Sequence, residues 1–485
     1  MINQLKQPGW IVFWVHLIIA LAYKMVVGLT IQPSPAIDWD YFWQTLPVAL
    51  IQNNLLESLW YLHAQPPLYN LYGAFLIKLF YPDHLTALHF ANIVLGATLS
   101  GMMVTIAEQF TRSRRFAFVM ALVLAFNPAL FLYEAYILYT ILTAFLVTLS
   151  LFCLSLFVKH QQHRFLYAYV LVINLTILTR SLYHLLILLL IIPLMCLLAH
   201  QYWKKVLVIS LLISLLAVGW YSKNAMIFGF FGASSWQGLG LWKIASFHYS
   251  EAELATLVQQ HIIDAAVVET EIFSRPSRYT SYGFTQTSTI AALANDDYNN
   301  INIPPIAHLY HLNALKLIQH NPQRYFVSVL HAYFAFTKPS SRFVHPTFPA
   351  NNLVKMGLHE KISSQIQGAE LAEALTGLGF SPWLFIAIPT TLGLAFFRAL
   401  RQGRFSVTVW IQLIRQDSVY FLAALLIFYT ILISCFFELG ENERFKVLIE
   451  QPLWAFIIST LYRHSPWWPK KYLSTYQSAT LPSES

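Results

Sequence analysis

Charge is what this chain has least of. Of its 485 residues only 11% are Asp, Glu, Lys or Arg, against about 25% in an ordinary soluble domain, too few to cover a water-soluble surface of this size. The other side of the composition excludes disorder, because 57% of residues are hydrophobic and 16% aromatic, far more than solvated segments carry. Cysteine is nearly missing. Cys153, Cys196 and Cys435 all lie inside long apolar runs, so they form neither a disulfide framework nor a CxxC or Cys/His metal spacing. No GxxxxGK[ST], GxGxxG or HExxH occurs. ATP therefore does not drive the chain directly, and energy comes from an activated substrate or an ion gradient. No internal repeat is visible. The large polar segment has no Asn-x-Ser/Thr sequon, which points to a prokaryotic source. What these absences leave is an integral membrane protein.

The long apolar stretches run at about 10–30, 85–107, 116–132, 137–158, 164–181, 183–199, 205–221, 380–397, 417–437 and 446–461, each near the length that crosses hydrocarbon. The N-terminal stretch lacks a small-residue cleavage site and reads as a retained span. Residues 67–81 are apolar but short, and whether they cross decides the parity of everything after them. The positive-inside rule favours a dip at the outer leaflet. Lys6, Arg112, Arg114, Arg115, Lys159, Arg164, Lys204, Lys205, Arg398, Arg401, Arg404, Arg415, Arg463, Lys470 and Lys471 then share one side, 15 of the 30 basic residues. The +8 net charge thus serves orientation and is no nucleic-acid footprint. The expected architecture is an all-α polytopic membrane protein with about ten transmembrane helices and both termini cytoplasmic. Residues 1–221 form an N-terminal transmembrane module whose first outer loop is 31–84. Residues 222–379 form a mostly helical extracytoplasmic lobe, with ten basic and ten acidic residues and an interfacial helix at 323–337. Residues 380–465 supply the C-terminal spans and 466–485 a cytoplasmic tail.

On the outer side, acids are few and therefore informative. Asp38-Trp39-Asp40-Tyr41 places two carboxylates at i and i+2, which point the same way on an extended or looped backbone and diverge on a helix. Such a pair takes a proton from an acceptor or holds a divalent cation, Mg or Mn; a plain solvated loop has the same spacing. His63-Ala64-Gln65-Pro66-Pro67-Leu68-Tyr69 follows, its di-proline turning the loop back to the membrane, with His63 a base or hydrogen-bond donor. Glu134 lies among aromatics at the next outer turn, after Asn127-Pro128. Three cations, Arg180, Lys223 (beside Asn224) and Arg444, sit on this side against the positive-inside bias, as an anionic lipid phosphate would require. Arg444 lies among the acids Glu438, Glu441 and Glu443. His308 and His311 share a helical face but lack a third ligand, and read as surface residues.

Taken in order along one membrane face, these features resemble the GT-C superfamily of polytopic glycosyltransferases, nearest the protein mannosyltransferase and lipid A aminoarabinose transferase branch. The elements are the Asp38/Asp40 pair, the HxxPPLY stretch at His63, Glu134 after Pro128, Trp220-x-x-Lys223-Asn224, and Gly440-Glu441-Asn442-x-Arg444-Phe445. The resemblance implies transfer of a sugar from a polyprenyl-phosphate donor to a lipid, glycan or protein acceptor, outside the cytoplasmic membrane of a bacterium. Asp38 or Asp40 would be the general base. His63, Glu134, Arg180, Lys223, Asn224, Glu441 and Arg444 would bind substrate. Trp39 splits a pair that is adjacent in many relatives, which leaves open which Asp acts. No cofactor is required in the monophosphate-donor branches, whereas the oligosaccharyltransferase branch uses a divalent ion. The rival classes are a lipid or sugar transporter or flippase, expected to bury charges mid-span in matching halves, and a polyprenyl-diphosphate glycan polymerase or ligase.

Overall fold

The computed structural model describes residues 8–28, 38–340, 368–376, 379–403 and 407–465. Among them the regular structure is entirely helical. Pro33 and Pro35 at the start of the first outer loop, residues 341–367 of the lobe, Lys6, Arg404 and the 466–485 tail lie outside the described residues.

Each of the ten apolar stretches carries helix, and length divides them. Four helices are long and apolar enough to cross a membrane: His84–Thr111, Thr140–His160, His200–Phe228 and Ser418–Phe437. A fifth span results if Arg114–Ala125 and Ala129–Ala135, bent by 52°, act as one. The bend follows from Asn127-Pro128. Proline cannot continue the hydrogen-bond ladder but suits a helix start, and the Asn127 Oδ1 caps the new helix by accepting from the Ala129 N–H at 3.0 Å. Arg164–Ile177 and Leu186–Leu198 have 14 and 13 residues, about 20 Å of helix against a hydrocarbon core of roughly 30 Å. Between them residues 178–185 leave helical geometry and carry Arg180 inward. The same turn receives the returning first loop, where the Leu68 N–H donates to the Leu178 carbonyl at 2.9 Å.

The His84–Thr111 helix is the hub of the bundle. It packs against Pro8–Gly28, Pro67–Phe80, Arg114–Ala125, Thr140–His160 and Glu450–His464. Its glycines permit one close crossing: Gly9 and Gly101 face each other so closely that a Cβ on Gly101 would meet the Gly9 carbonyl at 2.8 Å. The short 67–81 stretch is a single 14-residue helix, Pro67–Phe80, begun by the di-proline.

The bundle has two unlike ends. At one, Arg112 and Arg463 converge on Asp417, at 2.8 and 3.0 Å, and Arg415 donates to the Leu197 carbonyl. At the other, the first loop, the 178–185 turn, the lobe and the 438–445 segment meet. There the Gln237–Ser246 helix seats on Ile303–His320, on Pro322–Thr337 and on Ser418–Phe437. Its contact with Ile303–His320 is so close that a Cβ on Gly238 would lie 1.9 Å from the Ala307 carbonyl oxygen. The expected module boundary after residue 221 falls inside a continuous helix, Trp203–Phe228, which ends only at Gly229 with φ +76. Lys223 and Asn224 therefore belong to a helix and not to a loop.

Candidate functional site

At the end where the lobe meets the bundle lies a cavity of about 880 Å³. Its walls come from segments far apart in sequence: Asp40 and Trp43 from the first loop, Tyr139 and Arg180 from the bundle turns, Lys243 from the lobe, and Glu438 and Glu441 from the C-terminal pair of helices. Aromatic and aliphatic walls with a few converging polar groups are the ordinary make-up of a small-molecule or lipid-headgroup site.

The acidic pair is held by the residue that splits it. Trp39 is fully buried, its indole N–H donating to the Leu46 carbonyl at 2.8 Å and its ring stacked on Tyr69. The anchor requires Gly73, because a Cβ there would lie 1.9 Å from the Trp39 ring. With Trp39 inward, its neighbours on a single 3-10 turn, Trp39–Tyr41, face out. Asp38 is spent on the turn itself, accepting from the Asp40 N–H at 3.3 Å, and does not line the cavity. Asp40 does line it. The Val48 N–H donates to its Oδ1 at 2.8 Å, while its Oδ2 has no hydrogen bond among the described residues. Partial burial raises the Asp40 pKa above the usual carboxylate value, the Val48 N–H opposes, and the Asp38 charge adds to the rise. Both acids give one oxygen to a backbone N–H, and among the described residues no three His, Cys, Asp or Glu side chains converge.

The same cavity wall carries cations, one of them clamped by aromatic rings. The Arg180 guanidinium lies between Tyr139 and Phe445, 4.2 and 4.6 Å from their centroids, and makes one long ion pair with Glu441 at 3.9 Å. Its Nε is buried without a hydrogen-bond partner among the described residues. Arg444 stands behind the cavity wall, 2% exposed. It donates to Glu441 and, at 3.1 Å, to the Tyr139 hydroxyl. Lys243 pairs with Glu438 at 3.4 Å. Cation–π contact and ion pairing together fix Arg180 while leaving donors for an anion.

Four expected site residues lie elsewhere. Glu134 is 1% exposed inside the bundle, its Oε1 bonded to His16 Nε2 at 2.7 Å. Asn92 donates to the Glu134 carbonyl, and the other His16 nitrogen meets the Ala125 carbonyl at 2.9 Å. His63 is fully buried at the joint between first loop and lobe, its backbone N–H donating to Asn299 Oδ1 and its Nδ1 paired with the Ser235 hydroxyl, both at 2.9 Å. Burial, reinforced by the charge of Lys223, pushes the His63 pKa down to about 3, so the ring is neutral. Lys223 donates to the Leu62 carbonyl at 2.6 Å and lies 3.6 Å from the Trp220 centroid. Asn224 donates to the Gly232 carbonyl at 2.7 Å. None of the four lines the cavity.

Two participants carried no signal in the sequence. Lys243 belongs to a lobe whose charges balance, and Tyr139 is one of 26 tyrosines. His16 carried one, an ionisable residue in the middle of an apolar stretch, which in a membrane protein points to a partner. The chain matches no protein-family model, no curated protein and no solved structure.

Proposed function

We propose that this protein is a membrane glycosyltransferase of the GT-C kind, taking a sugar from a polyprenyl-phosphate donor and passing it to an acceptor hydroxyl. The observation that carries this reading is the cavity that sets Asp40, with an unengaged oxygen, among the aromatic-clamped Arg180 and the Lys243 ammonium. A carboxylate with cations across an apolar space is what the transfer needs. As the acceptor oxygen bonds to the sugar C1, its proton passes to the Asp40 carboxylate. The C1–O bond to phosphate breaks and its electron pair stays on the phosphate oxygen. Charge on the phosphate grows by one unit, and Arg180 neutralises it. Arg444 positions Glu441, which in turn steadies Arg180. Asp38 shapes the turn.

The same reading takes the ten apolar helices as spans, with the cavity end extracytoplasmic in a bacterial cytoplasmic membrane. The gathering of Arg112, Arg415 and Arg463 at the opposite end supports that orientation through the positive-inside rule. The test is purified protein in lipid nanodiscs with a labelled polyprenyl-phosphate sugar and a mixed lipid acceptor. Released polyprenyl phosphate, lost in Asp40→Asn, supports the reading. Labelled lipid or sugar crossing a sealed proteoliposome with no bond broken would replace it with transport.

A further inference from the structure

We propose that Lys243 is a second phosphate-holding cation of this cavity, and that Glu438 is a placeholder carboxylate which the phosphate displaces from it. The inference rests on the reading of the cavity as a polyprenyl-phosphate site and adds a residue and an exchange step to it.

The charges of the cavity wall already balance. Arg180 and Lys243 on the wall and Arg444 directly behind it stand against Asp40, Glu438 and Glu441, three cations against three carboxylates. A sugar phosphodiester adds one negative charge, and the phosphate monoester left after transfer carries up to two. Some carboxylate must therefore move aside or take a proton when the ligand enters an apolar cavity, because an uncompensated charge there is costly.

Geometry singles out which pair opens. Arg444 is sealed, with Glu441 and Tyr139 both on its guanidinium. Arg180 is held between two rings. The Lys243–Glu438 bridge is the looser one, 3.4 Å long with both side chains partly exposed, 34% and 23%, against about 2.7–2.9 Å for a well-formed charged pair. It also lies directly against backbone that carries no side chain. A Cβ on Gly240 would come within 3.0 Å of the Glu438 Oε2, and a Cβ on Gly440 within 3.0 Å of the Lys243 Nζ. Two bare glycine backbones thus flank the bridge, and Gly440, at φ +105, has a backbone that favours glycine. Burial raises the Glu438 pKa, with Lys243 opposing and the neighbouring Glu441 adding to the rise, so this acid loses its charge more readily than an ordinary one once the lysine leaves. Lys243 then turns three N–H donors on the phosphate, and its attraction grows as the sugar departs. The lysine reaches in from the lobe and the glutamate from the end of the Ser418–Phe437 helix, so the exchange also takes apart a link between them.

The experiment reads two substitutions in opposite directions. Full-length protein in nanodiscs is titrated with a polyprenyl phosphate, with the uncharged polyprenol and with inorganic phosphate. Binding is followed through the fluorescence of the cavity residues Trp43 and Trp236. Lys243→Met weakens polyprenyl phosphate binding about tenfold, the weight of one charged hydrogen bond, whereas Lys243→Arg keeps it. Glu438→Gln tightens binding about threefold or more, because the competing carboxylate is gone, and polyprenol binding is unchanged in all variants. If the pair were only a structural tie, both Lys243→Met and Glu438→Gln would weaken binding, and that result overturns the proposal. Wild-type binding with no response in either variant also overturns it and leaves the proposed function standing. A wild-type protein that binds no polyprenyl phosphate removes the proposed function itself. Inorganic phosphate bound as tightly, with the same opposite responses, keeps the exchange and assigns it to free phosphate.

Discussion

Asp40 and Glu134 are both acids in a chain with few of them, and both were expected at the same outer face. Their surroundings separate them. Glu134 is sealed between three helices, with His16 at 2.7 Å and a Cβ-free contact at Gly96, where a methyl group would lie 2.0 Å from its Oε1. Asp40 opens onto an 880 Å³ cavity with one oxygen unengaged. A fully buried acid paired with a histidine inside the helix packing is part of the scaffold, whereas an exposed one on a cavity wall with an unengaged oxygen is available to a ligand. The comparison breaks most decisively at Asp40. Asp40→Asn is expected to lower transfer by about 10²- to 10⁴-fold, the usual share of a positioned general base, with unchanged thermal unfolding, while Asp38→Asn retains most turnover. Because the Asp40 pKa is raised above 3.8 and the base works ionised, activity rises with pH through a midpoint above that value. A wild-type acid limb that persists in Asp40→Asn would assign it to another group.

Glu134 should fail in the other currency. Glu134→Ala leaves His16 buried without its partner, and removing one member of a buried pair costs about 3–5 kcal/mol. The loss appears in thermal unfolding, while turnover per folded molecule stays near wild type. Replacing both residues, His16→Leu with Glu134→Leu, is expected to recover much of that loss, since two apolar groups leave no orphaned charge. Reduced turnover in a fully folded Glu134 variant would instead carry this acid into the reaction.

Gly73 tests how the acidic pair is held. A Cβ at 1.9 and 2.4 Å from the Trp39 ring atoms forces the indole to move, and Asp40 is the next residue on the same turn. Gly73→Ala should cost about 1–3 kcal/mol of stability, as overpacking does. It should also lower turnover about tenfold or more, because a small misplacement of a catalytic group is amplified in the rate. Stability lost with turnover intact would show that the turn holds Asp40 without Trp39.

The sequence made the helical membrane class legible because apolar length and charge scarcity are one-dimensional properties. It also pointed to Asp40, Arg180, Glu441 and Arg444, within a wider set that held Asp38, His63, Glu134, Lys223 and Asn224 as well, since membrane orientation places residues on a common face whatever their separation. Depth was not legible. Glu134 and Lys223 sit near the ends of apolar stretches, so the face was readable but not whether a side chain points into a cavity or into helix packing. Arg164–Ile177 also reads as a full span until the turn that carries Arg180 cuts it to 14 residues. Lys243 was hidden for a different reason. Its role depends on a lobe helix seating against Glu438, 195 positions away, and no local pattern records that.

The smallest expected effect concerns His63, which the sequence offered as a base or hydrogen-bond donor and which lies buried where the first loop meets the lobe. Its pKa of about 3 in the folded protein lies below the ordinary 6.5, so between these values the unfolded chain binds more protons than the folded one. Stability contributed by this histidine is therefore present above pH 6.5 and is lost as pH falls below it. Each pH unit in that window is worth at most about 1.4 kcal/mol, or roughly 2 kcal/mol between pH 6.5 and 5. His63→Gln keeps a hydrogen-bonding side chain but cannot take up the proton, so its unfolding temperature should fall less than that of wild type from pH 7 to 5. The other titrating groups are common to both proteins and cancel in the difference. Equal losses would mean that His63 finds a second partner for its Nε2 on protonation. A larger loss in wild type would identify the ring as a neutral peg between the first loop, through Ser235 and Asn299, and the lobe. That joint lies beside Gln65 on the cavity wall, so the same variant at pH 7 should leave Asp40 chemistry intact.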